Sequence, residues 1–147
     1  MKLGAIVTSF AAISAPLFAD YGPVRSLDDF EWSNRLLIAN VSNEQFAQLK
    51  QDLIEYQNET LERKLVILVL NDGELKTFNL EEDPANPDNI RAEITTRLIN
   101  SDIALIGLDG GAKARFEADN FELPTVFAQI DRMPMRQAEL RERASKR

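Results

Sequence analysis

The sequence predicts a single α/β domain in which a mixed sheet is flanked by helices. The chain has 147 residues, of which 44 % are hydrophobic, and this is enough for one well-formed core. Short apolar runs alternate with amphipathic segments, which is the pattern of strands that alternate with helices. An Asp-Gly-Gly turn separates the last two extended segments. The predicted element order is β-α-β-α-β-β-α.

Residues 1–19 have the pattern of a secretory signal peptide. Lys2 supplies the positive charge, no charged residue occurs from Leu3 to Phe18, and the small Ala19 precedes Asp20. An uncleaved anchor is the alternative interpretation, because about 17 apolar residues lie at the lower limit of a membrane span. We therefore expect export to the periplasm or the outside of the cell, with no stable membrane insertion after cleavage.

Residues 20–34 are a polar lead-in, and we expect its aromatic residues Phe30 and Trp32 to pack onto the edge of the domain. The domain itself is predicted over residues 35–134. It begins with the apolar run Arg35–Val41, which is typical of a buried strand.

The first helix has the clearest local signal in the sequence. Ser42 and Gln45 have the spacing of a capping box, and Val41 and Phe46 stand at the positions of a hydrophobic staple. A helix is therefore predicted from about Asn43. Its apolar face is formed by residues at helical spacing, namely Phe46, Leu49, Leu53, Tyr56 and Leu61.

The middle of the chain is predicted as strand, loop and helix. The continuous apolar run Leu65–Leu70 indicates a central strand. Residues 74–89 are interpreted as an exposed acidic loop with a short extended piece at Leu75–Phe78. A helix follows from about Asp88 to Asn100.

The end of the domain is predicted as a hairpin and a helix. Strands at Ile103–Leu108 and Ala112–Ala118 flank the turn Asp109-Gly110-Gly111. The last helix has Pro124 in its first turn, and Pro134 stops or kinks it. Two β-α-β crossovers imply a parallel part of the sheet, and this order is that of a thioredoxin-like domain.

The charge is distributed unevenly along the chain. Residues 20–131 carry 10 basic and 22 acidic residues, a net charge of −12, whereas residues 132–147 carry 6 basic and 2 acidic residues, a net charge of +4. We expect the acidic body to repel nucleic acid and anionic lipid. Residues 135–147 are interpreted as a basic polar tail that extends as a frayed helix.

The absence of cysteine and histidine excludes several classes of function. Disulfides, thiol nucleophiles and Cys-Xaa-Xaa-Cys redox couples are ruled out. The usual zinc sites and histidine-based acid–base catalysis are ruled out as well. We predict no catalytic, cofactor-binding or metal-ligating residue and no cofactor.

Three strings resemble a bacterial secreted family of unknown function, which is itself similar to thioredoxin-like domains of animal sushi-repeat-containing extracellular-matrix proteins. They are LDDFEWSNRLLI (27–38), LIGLDGGAK (105–113) and IDRMPMRQAEL (130–140). The resemblance implies a thioredoxin-like fold but does not indicate an activity, because the family is of unknown function and a fold does not determine a function. A redox member of such a fold carries its cysteine at the start of the first helix, where this chain has Ser42.

The string from Asp131 to Gln137 has two interpretations. In the first, Asp131 pairs with Arg136 to fix the chain reversal, and the methionines fill irregular space. In the second, the string is a partner-binding patch, because methionine and arginine are favoured at interfaces. The candidate partner surface comprises Trp32, Arg35, Asp131, Met133, Pro134, Met135, Arg136 and Gln137.

Three functions are compatible with the sequence. The leading hypothesis is an exported, non-catalytic thioredoxin-like module that binds a protein of the envelope or the extracellular space. The first alternative is a carboxylate- or metal-dependent enzyme built on Asp109, Asp131 or the acidic loop, which two carboxylates converging in a pocket would favour. The second alternative is a structural or adhesive protein that assembles with itself.

Overall fold

The structure is a computed structural model that describes residues 22–146. The predicted signal peptide lies outside the described residues. Five strands form one mixed sheet with the order β3-β2-β1-β4-β5. They are β1 (Arg35–Val41), β2 (Leu65–Asn71), β3 (Glu74–Phe78), β4 (Ile103–Ile106) and β5 (Ala112–Phe116).

Helices cover both faces of this sheet, so the predicted α/β class with a thioredoxin-like arrangement is confirmed. The helices are α1 (Asn43–Glu55), α2 (Gln57–Glu62), α3 (Pro87–Leu98), α4 (Leu123–Asp131) and α5 (Pro134–Ser145). Short 3-10 turns occur at Leu27–Phe30 and Ala118–Asn120. None of the described helices is long and apolar enough to cross a membrane.

The core has two layers because successive side chains of a strand point to opposite faces. On β1, Leu37 and Ala39 pack with α1 and α4, whereas Leu36 and Ile38 pack with α3. Every residue of β2 is buried, which explains its continuous apolar run.

The strand directions correct one expectation. β1 and β2 are parallel, with Arg35 opposite Leu65. β4 runs antiparallel to β1, with Ile103 opposite Ala39. The second crossover therefore starts from β3 and not from β2. β3 and β4 run in the same direction, because each is antiparallel to one strand of the parallel pair β1 and β2, and α3 connects them.

β3 corresponds to the short extended piece that the sequence predicts at Leu75–Phe78 within the acidic loop. Asp72 and Gly73 have φ values of 53° and 79°, which both lie in the left-handed region. These angles are typical of a two-residue type I′ hairpin turn. Asn71 and Glu74 pair directly on either side of the turn, so β2 and β3 form a tight hairpin.

The capping box at the start of α1 is confirmed. The Gln45 backbone N–H donates to the Ser42 hydroxyl over 3.2 Å, and the Ser42 N–H donates to the Gln45 side chain over 3.0 Å. The predicted long helix divides into α1 and α2 at Tyr56, where φ is −103° and ψ is 29°. The Tyr56 ring packs edge-on against Phe127, with 5.7 Å between the ring centroids.

The two aromatic residues of the lead-in behave differently. Phe30 is buried against the α3 face of the sheet, as expected. Trp32 remains 66 % exposed, so the expectation that it packs onto the domain is wrong. Its φ of 66° turns the chain there, and its backbone N–H donates to the Leu108 carbonyl over 2.7 Å.

Candidate functional site

The parallel pair β1 and β2 gives the sheet two distinct ends. At the amino end, Arg35 and Leu65 begin the two strands, and at the carboxyl end Val41 and Asn71 finish them. The sequence singled out residues at both ends.

An ion-pair cluster occupies the amino end, where three arginines meet three carboxylates. These residues come from β1, α2, α4, α5 and the segment between α2 and β2. We use the name ion-pair cluster for Arg35, Glu62, Arg63, Asp131, Arg136 and Glu139.

Arg35 is the innermost member of the ion-pair cluster. Its side chain is fully buried, with 0 % of the residue exposed. Its Nη1 donates to the Arg63 carbonyl over 3.0 Å, and its Nη2 donates to the Glu139 carboxylate over 3.2 Å. Lys64 Nζ lies 4.0 Å from the same carboxylate. Glu139 is therefore the carboxylate that compensates the charge of Arg35.

Arg136 connects the remaining carboxylates, and only 2 % of it is exposed. Its Nε donates to Asp131 over 3.1 Å and its Nη2 donates to Glu62 over 3.0 Å. Its Nη1 lies 3.5 Å from Glu139. The pairing of Asp131 with Arg136, which the first interpretation of the string required, is thus observed.

Asp131 also binds Arg63 through both carboxylate oxygens. Arg63 Nε and Nη2 donate to Asp131 over 3.0 and 2.9 Å, and the guanidinium stacks 4.7 Å from the centre of the Phe127 ring. Such a bidentate pair fixes direction as well as distance. The hydrogen bonds from Arg63, and then those from Arg136, lower the pKa of Asp131 although its partial burial opposes this.

Glu62 has a lowered pKa as well, because Arg136 and Arg143 donate hydrogen bonds to its carboxylate. A general acid that works near neutral pH needs a raised carboxyl pKa. The ionised carboxylates Glu62 and Asp131 therefore suit ion pairing and not proton donation.

The other residues of the candidate partner surface lie around the ion-pair cluster. Met133 is partly buried against the core, and the Gln137 side-chain amide donates to the Asp131 carbonyl. Pro134 is exposed in the first turn of α5, and Met135 is exposed like Trp32. Arg35 and Arg136 have almost no surface to offer, so partner binding at this string stays a prediction that depends on Trp32 and Met135.

Sequence reasoning missed Glu62, Arg63 and Glu139. Glu139 stands three residues after Arg136, a spacing that places two side chains on one helix face. That local signal was present in the sequence. Nothing local connects Arg35 with Glu139, which follows it by 104 positions.

A groove of about 250 Å³ lies at the carboxyl end, between α1 and the segment from Ala118 to Phe121. Val41, Leu49 and Ile103 are buried at its base. The polar residues that line it are Glu44, Gln45, Gln48, Asp52 and Asp119.

The groove lies beside the position at which a redox thioredoxin-like domain carries its cysteine. Ser42 stands there, and its hydroxyl accepts the hydrogen bond that caps α1. The Gln45 amide then donates to Asp119 over 2.8 Å. Asp102, which precedes β4, accepts the Ala118 N–H over 2.9 Å. The groove walls are thus held together by hydrogen bonds, and the hydroxyl is part of the fold.

The acids proposed for an enzyme, namely Asp109, Asp131 and those of the loop, do not line this groove, whose own carboxylates belong to α1 and to Asp119. Asp109 lies in the β4–β5 turn and binds Lys113 over 2.9 Å. The Gly111 N–H and Lys113 lower its pKa. Asp131 belongs to the ion-pair cluster. Within residues 22–146, no three Asp or Glu side chains are placed to hold one metal ion.

One family model matches the chain, and its description is Domain of unknown function (DUF4174). The match covers residues 26–139, a range that includes both the ion-pair cluster and the groove. No curated protein and no solved structure matches the chain.

The ion-pair cluster predicts unequal costs for the same substitution at two of its carboxylates. Glu139→Gln leaves the buried Arg35 without a counter-charge, and we expect a loss of about 3 kcal/mol in the free energy of unfolding. Glu62→Gln, at a carboxylate that is 39 % exposed, leaves Arg136 two other carboxylates, and we expect a loss of under about 1 kcal/mol. Urea denaturation measures both values, and equal losses would contradict the assignment of Glu139 to Arg35.

The lowered pKa of Asp131 predicts a pH dependence of stability. A carboxyl group whose pKa falls on folding stabilises the protein above its unfolded value, near 3.8, and this stabilisation is lost as the pH falls further. Asp131→Asn should therefore destabilise the protein at pH 7 by no more than about 1 kcal/mol, because 38 % of this side chain is exposed and solvent screens its ion pairs. The difference from wild type should shrink towards pH 2. Urea denaturation at several pH values tests this, with Asp83→Asn in the exposed loop as control. A difference that stays constant with pH would refute it.

Proposed function

The chain belongs to the family described as Domain of unknown function (DUF4174), and from this premise we propose that it is a non-catalytic, thioredoxin-like binding module. The observation that carries the proposal is the carboxyl end of the sheet, where the catalytic cysteine is replaced by the capping Ser42 and a groove remains open beside it. Because no thiol is present at the carboxyl end of the sheet, we assign ligand binding, and not redox chemistry, to the groove there.

The ion-pair cluster at the amino end of the sheet also favours the groove as the binding site. Its three arginines are matched by three carboxylates, and Arg35 and Arg136 are buried. Arg35 Nε has no hydrogen-bond partner among residues 22–146, but the charges themselves are paired. Buried paired charges offer little to a ligand, because binding would first have to separate them. In this proposal the string IDRMPMRQAEL (130–140) stabilises the fold, and the groove binds the ligand.

The size of the groove indicates the kind of ligand. Small-molecule sites usually enclose about 300–1,000 Å³, and this groove is smaller, at about 250 Å³. It accommodates a few side chains of a protein segment better than a whole cofactor. The acidic body of the chain, with its net charge of −12 over residues 20–131, disfavours nucleic acid as the ligand.

The module is exported in this proposal, and its partner is a protein of the envelope or the extracellular space. The support comes from residues 1–19, with one lysine followed by an uncharged apolar segment and Ala19. The resemblance to a secreted bacterial family and to domains of sushi-repeat-containing matrix proteins agrees with it. The mass of the mature protein should correspond to an N-terminus at Asp20, and an intact Met1 would contradict export with cleavage.

A substitution that fills the groove tests whether the ligand binds there. Gln48 and Gln51 are both exposed on α1, but Gln48 lines the groove and Gln51 does not. We expect a pool of random, acetylated and amidated heptapeptides to shift the backbone amide signals of groove residues in a ¹⁵N-labelled sample. Gln48→Trp should abolish these shifts because the indole occupies the groove, whereas Gln51→Trp should preserve them.

Two results of this experiment would contradict the proposal. Shifts that survive Gln48→Trp would place the ligand elsewhere. Shifts confined to Trp32, Met135 and Gln137 would transfer the binding site to the partner surface at the amino end.

A further inference from the structure

We propose that the carboxyl-end groove binds an extended basic segment of a partner protein, in which two arginine or lysine side chains flank an apolar one. This inference rests on the proposed function and adds the chemistry of the ligand to it. Three features of the groove support it, namely its charge, its apolar base and the spacing of its carboxylates.

The carboxylates of the groove lack basic partners. Glu44, Asp52 and Asp119 line it together with no lysine or arginine. None of the three forms an ion pair with any residue between 22 and 146. Asp52 and Asp119 accept hydrogen bonds from neutral glutamine amides, over 3.0 and 2.8 Å. The groove therefore has three negative charges available to a cationic ligand.

This arrangement contrasts with the ion-pair cluster at the amino end, where every carboxylate has an arginine partner. The same chain thus neutralises its acids at one end of the sheet and leaves them open around the groove. Uncompensated charge of one sign in a concave site raises the local concentration of ligands of the opposite sign. Charge complementarity consequently favours a basic ligand.

The base of the groove requires an apolar group in the same ligand. Val41, Leu49 and Ile103 form this base, and the Phe121 ring also lines the groove. These three residues are at most 6 % exposed, so the apolar surface that an aliphatic side chain removes from water there belongs mainly to Ala118 and Phe121. A purely polar cation would leave this surface unused.

The spacing of the carboxylates argues for an extended peptide and against a compact cation. Glu44 and Asp52 are eight residues apart on α1, which corresponds to about 12 Å along the helix axis at a rise of 1.5 Å per residue. In an extended peptide, residues i and i+4 are about 13 Å apart, and residues i, i+2 and i+4 point to the same side. A basic-x-apolar-x-basic segment therefore places both cations on the rim and the apolar side chain at the base.

A designed peptide pair tests this arrangement. The probe is Ac-Gly-Arg-Ala-Leu-Ala-Arg-Gly-NH2, and its control carries citrulline, the neutral isostere, in place of both arginines. We expect both peptides to shift amide signals at the groove and the arginine peptide to bind about tenfold more tightly than the citrulline peptide. Each exposed ion pair contributes modestly to the binding free energy, but the pairs formed by the two arginines add together. Raising the salt concentration should weaken the arginine peptide selectively.

Two matched charge variants test whether the groove carboxylates cause the preference for the arginine peptide. The triple variant Glu44→Gln, Asp52→Asn and Asp119→Asn keeps the hydrogen-bond acceptors and removes the three charges. It should lose the tenfold preference for arginine. The control variant Glu81→Gln, Glu82→Gln and Asp83→Asn removes three charges from the exposed loop, and it should bind like wild type because these residues do not line the groove.

The possible outcomes separate this inference from the proposed function. If citrulline and arginine peptides shift the groove amides with equal affinity, the basic ligand is refuted and the binding module stands. If neither these peptides nor the random pool shifts the groove amides, both the basic ligand and the binding module are refuted. If sedimentation shows that the protein associates with itself and that the groove triple variant abolishes this, the occupant is a second copy, and the partner segment is refuted.

Discussion

The bond between Arg35 and Glu139 is the constraint on which the arrangement of the helices depends. Arg35 is the first residue of the central strand β1 and is fully buried. A buried guanidinium without a counter-charge is strongly destabilising, so α5 must lie against the amino end of the sheet to supply Glu139. One turn earlier on α5, Arg136 binds Glu62 of α2 and Asp131 of α4. Charged groups thus tie three helices to the sheet.

In the proposed function, the two ends of the sheet have different roles. The IDRMPMRQAEL string supplies Asp131, Arg136 and Glu139, which neutralise one another at the amino end. The position of the thiol in a redox thioredoxin-like domain lies at the other end, where Ser42 caps α1. The most distinctive string in the sequence therefore stabilises the fold, and the groove at the opposite end is lined by three carboxylates that form no ion pair within residues 22–146.

Local patterns in the sequence predicted much of the fold. The range of β1 and the Ser42 capping box were predicted as the structure shows them, because both depend on neighbouring residues. The sequence predicted an extended piece at Leu75–Phe78, which β3 contains. Its hairpin with β2 was not predicted, although Asp72-Gly73 between two apolar segments is a strong signal for one. The nearby acids and prolines of residues 81–88 had favoured a loop.

The candidate site was less predictable, because burial of an arginine depends on partners distant in sequence. Arg35 meets a carboxylate 104 positions later, and no periodicity encodes such a pair. The groove combines residues of β1, α1 and β4 with Asp119 and Phe121, so it exists only once the chain has folded. The sequence did identify the region around Ser42, through the position that lacks the cysteine.

The central claim is that the amino end stabilises the fold and the carboxyl end binds. The affinity of the folded Glu139→Gln variant for the arginine heptapeptide tests it most directly, with an amide spectrum to confirm the fold. Because distant sites act independently, the dissociation constant should stay within about twofold of wild type. A variant that keeps the native spectrum and binds about tenfold more weakly would contradict the separation of roles.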